Sequence, residues 1–297
     1  MDLGYGMVAR ALEDVDGRGL FFKGPTAQTA GLRPRKVSSD VDVLVARECR
    51  NDLIALLRAS GWGPRPSGGA HGVAPTHAIT LIHPQWPIDI DVHERVPGCD
   101  QSPDAVFDCL WSSRTSMELA HTPLPVPSRI DHALLLALNA LRSPWDPTST
   151  ALLESLPAAL SVDDASALLQ RAHALGAAAS AAPFLRPLVG SDAGPFQTPS
   201  REWVLYQHME HPAVTWLAAL EETPWRKRPA LLLAAILPSR ALMAKRNIQM
   251  SQADGITLTR ERLRRLASFT RRAYPAFRAY MDFKRSLRAR SRNPQKH

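Results

Sequence analysis

The sequence holds three cysteines in 297 residues, Cys49, Cys99 and Cys109. An odd number without paired-ligand spacing argues against a disulfide framework and a structural zinc site, and free thiols fit a reducing cytoplasm. Long apolar runs are missing too. Nothing reaches the ~18 consecutive apolar residues of a membrane-spanning helix, so no membrane partner is expected. Met1-Asp2-Leu3-Gly4 has neither the basic start nor the apolar core of a secretory leader, which again points to the cytoplasm. Aromatic residues make up 6% of the chain. No stretch repeats another.

What is present is an ordinary globular balance, 45% hydrophobic and 22% charged, in a chain long enough for two domains. The formal charge of +8 is unevenly spread. Residues 256–297 hold thirteen Lys and Arg against Glu261 and Asp282, so the rest of the chain is slightly acidic. Such a segment is either the footprint of a protein that meets a polyanion or a solvated arginine-rich face. Phe269, Tyr274, Phe277, Tyr280 and Phe283 interleave with the arginines. Aromatics so placed can stack bases, and at these spacings some of them are expected in a core.

The chemistry concentrates in two short stretches, Ser39-Asp40-Val41-Asp42-Val43-Leu44-Val45 and Ile88-Asp89-Ile90-Asp91-Val92-His93. Side chains two apart on a strand share a face at about 6–7 Å spacing. Asp40 and Asp42 then point one way while Val41 and Val43 enter a core, and Asp89, Asp91 and His93 repeat the pattern. Set side by side in one sheet, the two strands gather three or four carboxylates at one spot. Like charges so close repel strongly unless a cation sits among them. Hard divalent ions such as Mg²⁺ take carboxylate oxygens, and two of them about 3.5–4 Å apart can serve an in-line phosphoryl displacement.

Phe21-Phe22-Lys23-Gly24 ahead of Asp40-Val41-Asp42, with Asp91-Val92-His93 about fifty residues on, resembles the DNA polymerase β-like nucleotidyltransferase superfamily. Within it, the chain is similar to an uncharacterised bacterial branch in which Lys-Gly replaces the usual Gly-Ser. The resemblance covers Met1 to Arg142, and Leu237-Pro238-Ser239 followed by a basic helix also fits the branch. It implies an α+β fold, with a small mixed sheet and flanking helices over residues 1–125 and an all-helical domain over 126–297. It implies Asp40, Asp42 and Asp91 as catalytic and metal-binding residues, Asp91 being preferred to Asp89 because the branch reads Asp-apolar-His.

By the same resemblance, Asp40 and Asp42 would bind two Mg²⁺ or Mn²⁺ ions, one gripping the triphosphate of an NTP co-substrate. Asp91 would hold the second ion and help activate the acceptor hydroxyl. The serine that usually touches the triphosphate is missing, so Lys23, Ser38 or Ser39 would take its part. Lys23, Gly24, Arg35, Lys36 and Ser39 are the expected nucleotide-binding residues. His93 is a ligand, an orienting partner or a plain strand-end histidine. The implied reaction moves a nucleoside monophosphate to an acceptor hydroxyl. The basic C-terminal segment favours RNA as acceptor, in the manner of toxins that modify tRNA ends. A small-molecule or peptide acceptor in a biosynthetic cluster is an alternative, as is an inactive nucleotide- or RNA-binding relative.

Elsewhere, apolar spacing predicts a helix over 3–15, a strand over 20–22, a helix over 46–60 and a mobile Gly- and Pro-rich loop over 63–75. Strands are predicted over 77–83, 88–92 and 115–119, a short helix over 103–110, and a linker over 123–127. Ser128 caps a helix over 130–141. Beyond it the pattern is helical throughout, with segments at 151–160, 162–175, 185–189, 201–209, 212–222 and 227–236. Two final helices are predicted, 258–272 and 276–290, with Pro275 in the gap between them.

Overall fold

A computed structural model describes residues 2–34, 38–65, 76–119, 121–190, 195–236 and 254–292. Helix α1 (Asp2–Asp14) buries Tyr5, Val8, Ala9, Ala11 and Leu12 on one face. It leads into β1 (Gly19–Phe21), the short α2 (Gly24–Thr29) and β2 (Asp40–Val45). Helix α3 (Arg47–Ala59) then sinks Leu53, Ile54 and Leu57. It is followed by β3 (Gly63–Pro64), β4 (Ala78–Ile82) and β5 (Asp89–His93). Of the predicted 63–75 loop, Gly63 and Pro64 form β3, and 66–75 lie outside the described residues.

These strands form one mixed sheet in the order β1-β2-β5-β4-β3. The central pair, β2 and β5, is parallel, and the other pairings are antiparallel. Val41, Val43, Ile90 and Val92 are fully buried, so one face of each central strand belongs to the core, while Asp40, Asp42, Asp89, Asp91 and His93 occupy alternate positions. Register is strongly specified here, because a one-residue slip would carry the carboxylates into the core.

Helix α4 (Pro103–Ser112) is capped by the Ser102 hydroxyl. It precedes a hairpin of β6 (Thr115–Leu119) and β7 (Thr122–Val126). The stretch expected as a linker is therefore mostly strand. Leu124 and Val126 turn into the core, while Pro123 and Pro125 sit at alternate positions of a two-stranded ribbon, where a missing N–H is tolerated. Ser128 caps α5 (Arg129–Leu141), accepting from the Asp131 amide. Ten of the thirteen residues of α5 are buried, the signature of a helix packed on all sides. Around it lie α6 (Pro147–Ser155), α7 (Val162–Ala174) and α8 (Ala178–Val189). Asp131 is fully buried and is satisfied by Arg171, Ser113 and Ser128.

The chain divides into two compact units. The first holds the described residues through Trp203 except Thr76, and the second those from Val204 onward. In the second unit, α9 (Arg201–Tyr206) supplies Val204 and Leu205, and α10 (Pro212–Glu222) supplies Val214 and Ala218. These pack against Phe283 of a long helix, Gly255–Arg292. Helix α11 (Arg228–Ile236) exposes Leu232 and Leu233. Residues 237–239 lie outside the described residues. The sequence predicts two helices broken at Pro275, but a single 38-residue helix runs through it. A proline removes one intrahelical hydrogen bond at a cost of about 3 kcal/mol, which kinks a helix without ending it when good helix formers continue on both sides. The architecture is thus α+β: a mixed sheet with flanking helices, followed by a helical region.

Candidate active site

The parallel pairing of β2 and β5 sets Asp40 opposite Asp89 and Asp42 opposite Asp91, with His93 opposite Leu44. Asp42, Asp91 and His93 place potential ligand atoms within 4.8 Å of one another. Asp42 is 3% exposed. Its Oδ1 accepts from the Lys23 ammonium at 2.6 Å and from His93 Nε2 at 2.8 Å. Burial alone would raise the Asp42 carboxyl, but the Lys23 charge and the His93 bond outweigh it and hold the group well below the usual carboxylate range. Burial lowers His93, reinforced by Lys23 and opposed by Asp42.

Asp91 goes the other way. Burial raises its carboxyl, and the Asp42 charge adds to this, while a hydrogen bond from Thr80 pulls against it. Asp91 Oδ1 is buried and has no hydrogen-bond partner among the described residues. An orphaned carboxylate oxygen beside a second carboxylate and an imidazole is a donor set that fits a divalent cation.

Lys23 owes its position to an unusual backbone. It stands just before α2 with φ 64° and ψ −152°, a region that residues with a Cβ seldom enter and that costs on the order of 1–3 kcal/mol. Its amide donates to His132 Nε2 at 2.9 Å, and its carbonyl accepts from the Thr26 hydroxyl at 2.7 Å. Burial pushes His132 down to about 4, so the ring is neutral and Nε2 can accept. The Lys23 ammonium also lies 4.8 Å from the centre of the Phe22 ring. Gly24 follows at φ +38°, and a side chain there would strike the Tyr5 hydroxyl at 2.6 Å, so glycine is required at this turn. Tyr5 is itself fully buried, with a hydroxyl that has no partner among the described residues. Burial raises the phenol far above its ordinary range, with Asp42 and Asp40 adding to the effect.

The geometry sorts the residues expected from sequence. Asp42 and Asp91 meet, together with His93 and Lys23. Asp40 begins the same strand but is not in the metal-capable group, and its Oδ1 accepts from the Ser38 hydroxyl at 2.9 Å. Asp89 is paired with Arg65. Ser39 is exposed and lends its backbone carbonyl to the Asp89 amide. Arg35 and Lys36 lie outside the described residues.

Sequence reasoning missed His132 and Tyr5. The first is embedded in the apolar run of α5 and the second on a helix far upstream, and neither carries a local signal. It gave no role to His77 either. The centre of that ring lies 5.6 Å from that of His93, the two rings tilted at 39°, and Arg142 donates to the His77 Nε2 at 2.7 Å. Burial and the Arg142 charge push His77 down to about 2. Phe22, Lys23, His77, Arg95, Asn139 and Arg142 line a recess beside the carboxylates.

Comparison with known proteins adds a lineage. Residues 5–186 match the model of a family described as uncharacterised nucleotidyltransferase. No curated protein matches the chain. Six chains of solved structures do, among them antibiotic-resistance factor ANT(2'')-Ia. That structure is 12% identical with a TM-score of 0.38, the match covering 57% of this chain and 90% of that one.

Proposed function

The chain belongs to the uncharacterised nucleotidyltransferase family, and from that premise we propose that it transfers a nucleoside monophosphate from an NTP to a hydroxyl of RNA. The observation that carries the reading is the in-register meeting of Asp42 and Asp91, with a buried Asp91 oxygen that has no partner among the described residues. These two carboxylates would hold a divalent cation, Mg²⁺ or Mn²⁺, with Asp40 beside them at the strand entrance. When bound, the ion neutralises phosphate charge and polarises the acceptor hydroxyl.

The acceptor oxygen bonds to the α-phosphorus as the bond from that phosphorus to the β-phosphate bridge breaks. Pyrophosphate leaves, and the hydroxyl proton is released. Such chemistry asks the protein for positioning and charge more than for covalent participation. His93 orients Asp42 through Nε2, and Thr80 orients Asp91. Gly24 gives the chain room to turn beside them. Lys23 takes the place of the missing Gly-Ser serine, its ammonium 2.6 Å from Asp42 Oδ1.

RNA is favoured because the excess positive charge is gathered on the helix Gly255–Arg292. Arg260, Arg264, Arg278 and Arg285 are exposed there. Tyr274 and Phe277 stand out between them at 75% and 58% exposure. Phosphate contacts from arginine and base stacking on aromatics are the elements of single-strand binding. The test is incubation with a divalent ion, each α-labelled NTP in turn and total RNA, with an Asp40→Ala/Asp42→Ala double variant as control. Label entering RNA with the wild type alone is the expected result. Label in the protein or in no macromolecule would move the acceptor to a peptide or a small molecule.

A further inference from the structure

Lys23 adopts a backbone conformation suited to glycine, and glycine would occupy it without strain. The structure holds the lysine there all the same, through its amide on His132, its carbonyl on Thr26 and its ammonium on Asp42. Its side chain is 16% exposed, so this is a fixed internal charge and not a surface lysine in passing contact. What the strained backbone secures is a positive charge 2.6 Å from the more deeply buried carboxylate.

We propose that Lys23 is the resident second cation of this centre: one divalent ion binds on Asp42 and Asp91, and the Lys23 ammonium stands where a second ion would otherwise be needed. This rests on the nucleotidyltransferase reading above and replaces the pair of ions expected from sequence. Three observations converge on it. Asp42 Oδ1 already receives two donors, Lys23 and His93, so that side of the carboxylate is claimed. Asp91 Oδ1 is a buried carboxylate oxygen without a partner among the described residues, which marks where one ion is wanted. Asp40, the further carboxylate that a second ion would need, lies outside the Asp42–Asp91–His93 group and accepts from Ser38. A fixed ammonium beside one divalent ion repels a second, because like charges at such range in a poorly solvated site interact strongly.

The inference is tested by counting bound Mn²⁺ per chain by electron paramagnetic resonance, with one equivalent of each non-hydrolysable NTP analogue in turn. Wild type is compared with Lys23→Gly, which suits the local backbone, and with Lys23→Met, which keeps the stem without the charge. Circular dichroism checks that each is folded. One ion per wild-type chain and two in both neutral variants is the expected outcome, with Lys23→Arg returning the count to one. Two ions in the wild type would overturn the role of Lys23 while leaving nucleotidyl transfer standing. A count of one in every variant would overturn it equally. If the wild type binds neither Mn²⁺ nor any analogue, the nucleotidyltransferase reading itself falls, and this inference with it.

Discussion

Asp40 faces Asp89 at the entrance of the central strand pair, and Asp42 faces Asp91 two residues further in. The two rows are the same in sequence pattern and in strand geometry, yet the protein treats them differently. The outer carboxylates are answered by surface devices, a serine hydroxyl for Asp40 and a half-exposed arginine for Asp89. The inner row has lost that option. Asp42 is buried and carries an internal ammonium and an imidazole, and Asp91 is left with an oxygen that nothing among the described residues satisfies. Depth sets the difference. A carboxylate near solvent can be screened by water, whereas a buried one requires a partner, and the inner row falls one cation short.

The contrast breaks most visibly at Asp42. Asp42→Asn should lower single-turnover transfer by about a thousandfold or more, on the scale of losing a charge that organises transition-state stabilisation. It should also destabilise the fold by about 3–5 kcal/mol, because Lys23 would be left as a buried charge without its counter-ion. Denaturant unfolding of wild type and variant, alongside the transfer assay, reads both. If Asp40→Asn proved equally destabilising, burial would not be what separates the rows.

Asp91→Asn sharpens the difference within the inner row. Transfer should fall by about a hundredfold, again from lost positioning of charge. The metal-free protein should nevertheless become more stable at neutral pH. The sign follows from linkage. Asp91 is raised above its unfolded value, so its contribution is present below the ordinary carboxylate range and is lost as pH rises through the raised folded value. Asp42 is lowered, so its contribution is present above that range and fades only in strong acid. Removing the Asp91 carboxyl should therefore flatten the decline that sets in just above the ordinary carboxylate range and leave the strongly acid limb set by Asp42 unchanged. Melting temperatures across pH, with and without Mn²⁺, test this: the ion should stabilise wild type and leave Asp91→Asn unmoved.

How much of this was legible beforehand varies with the range of the interaction. Strand period placed Asp40 with Asp42 and Asp89 with Asp91, and alternation with valine and isoleucine marked the buried faces. Those are properties of two residues at a time, and they survived folding. The parallel register that selects Asp42 and Asp91 as the inner pair depends on a crossover of some forty residues and has no local signature. His132 was illegible for the same reason, lying 109 positions from the amide it holds. Lys23 was visible as a departure from Gly-Ser, but its positive φ and its bond to Asp42 were not. Pro275 misled because a local rule, that proline ends helices, was outweighed by the helix-forming residues on both sides.

The smallest expected effect belongs to the outer row, and it decides which carboxylate of β5 matters. Asp89→Asn removes the ion pair with Arg65, whose side chain is 42% exposed against 31% for Asp89. Pairs of that kind contribute at most about 1 kcal/mol and are weakened by salt. The variant should lose less than that in denaturant unfolding, less still at high ionic strength, and should keep transfer within about threefold of wild type. A loss of transfer matching that of Asp91→Asn would move the third carboxylate out to Asp89 and with it the centre toward the strand entrance. Retained transfer, set against the loss at Asp91 on the same strand face, would assign the chemistry to the inner row by a comparison of two carboxylates two positions apart on one strand.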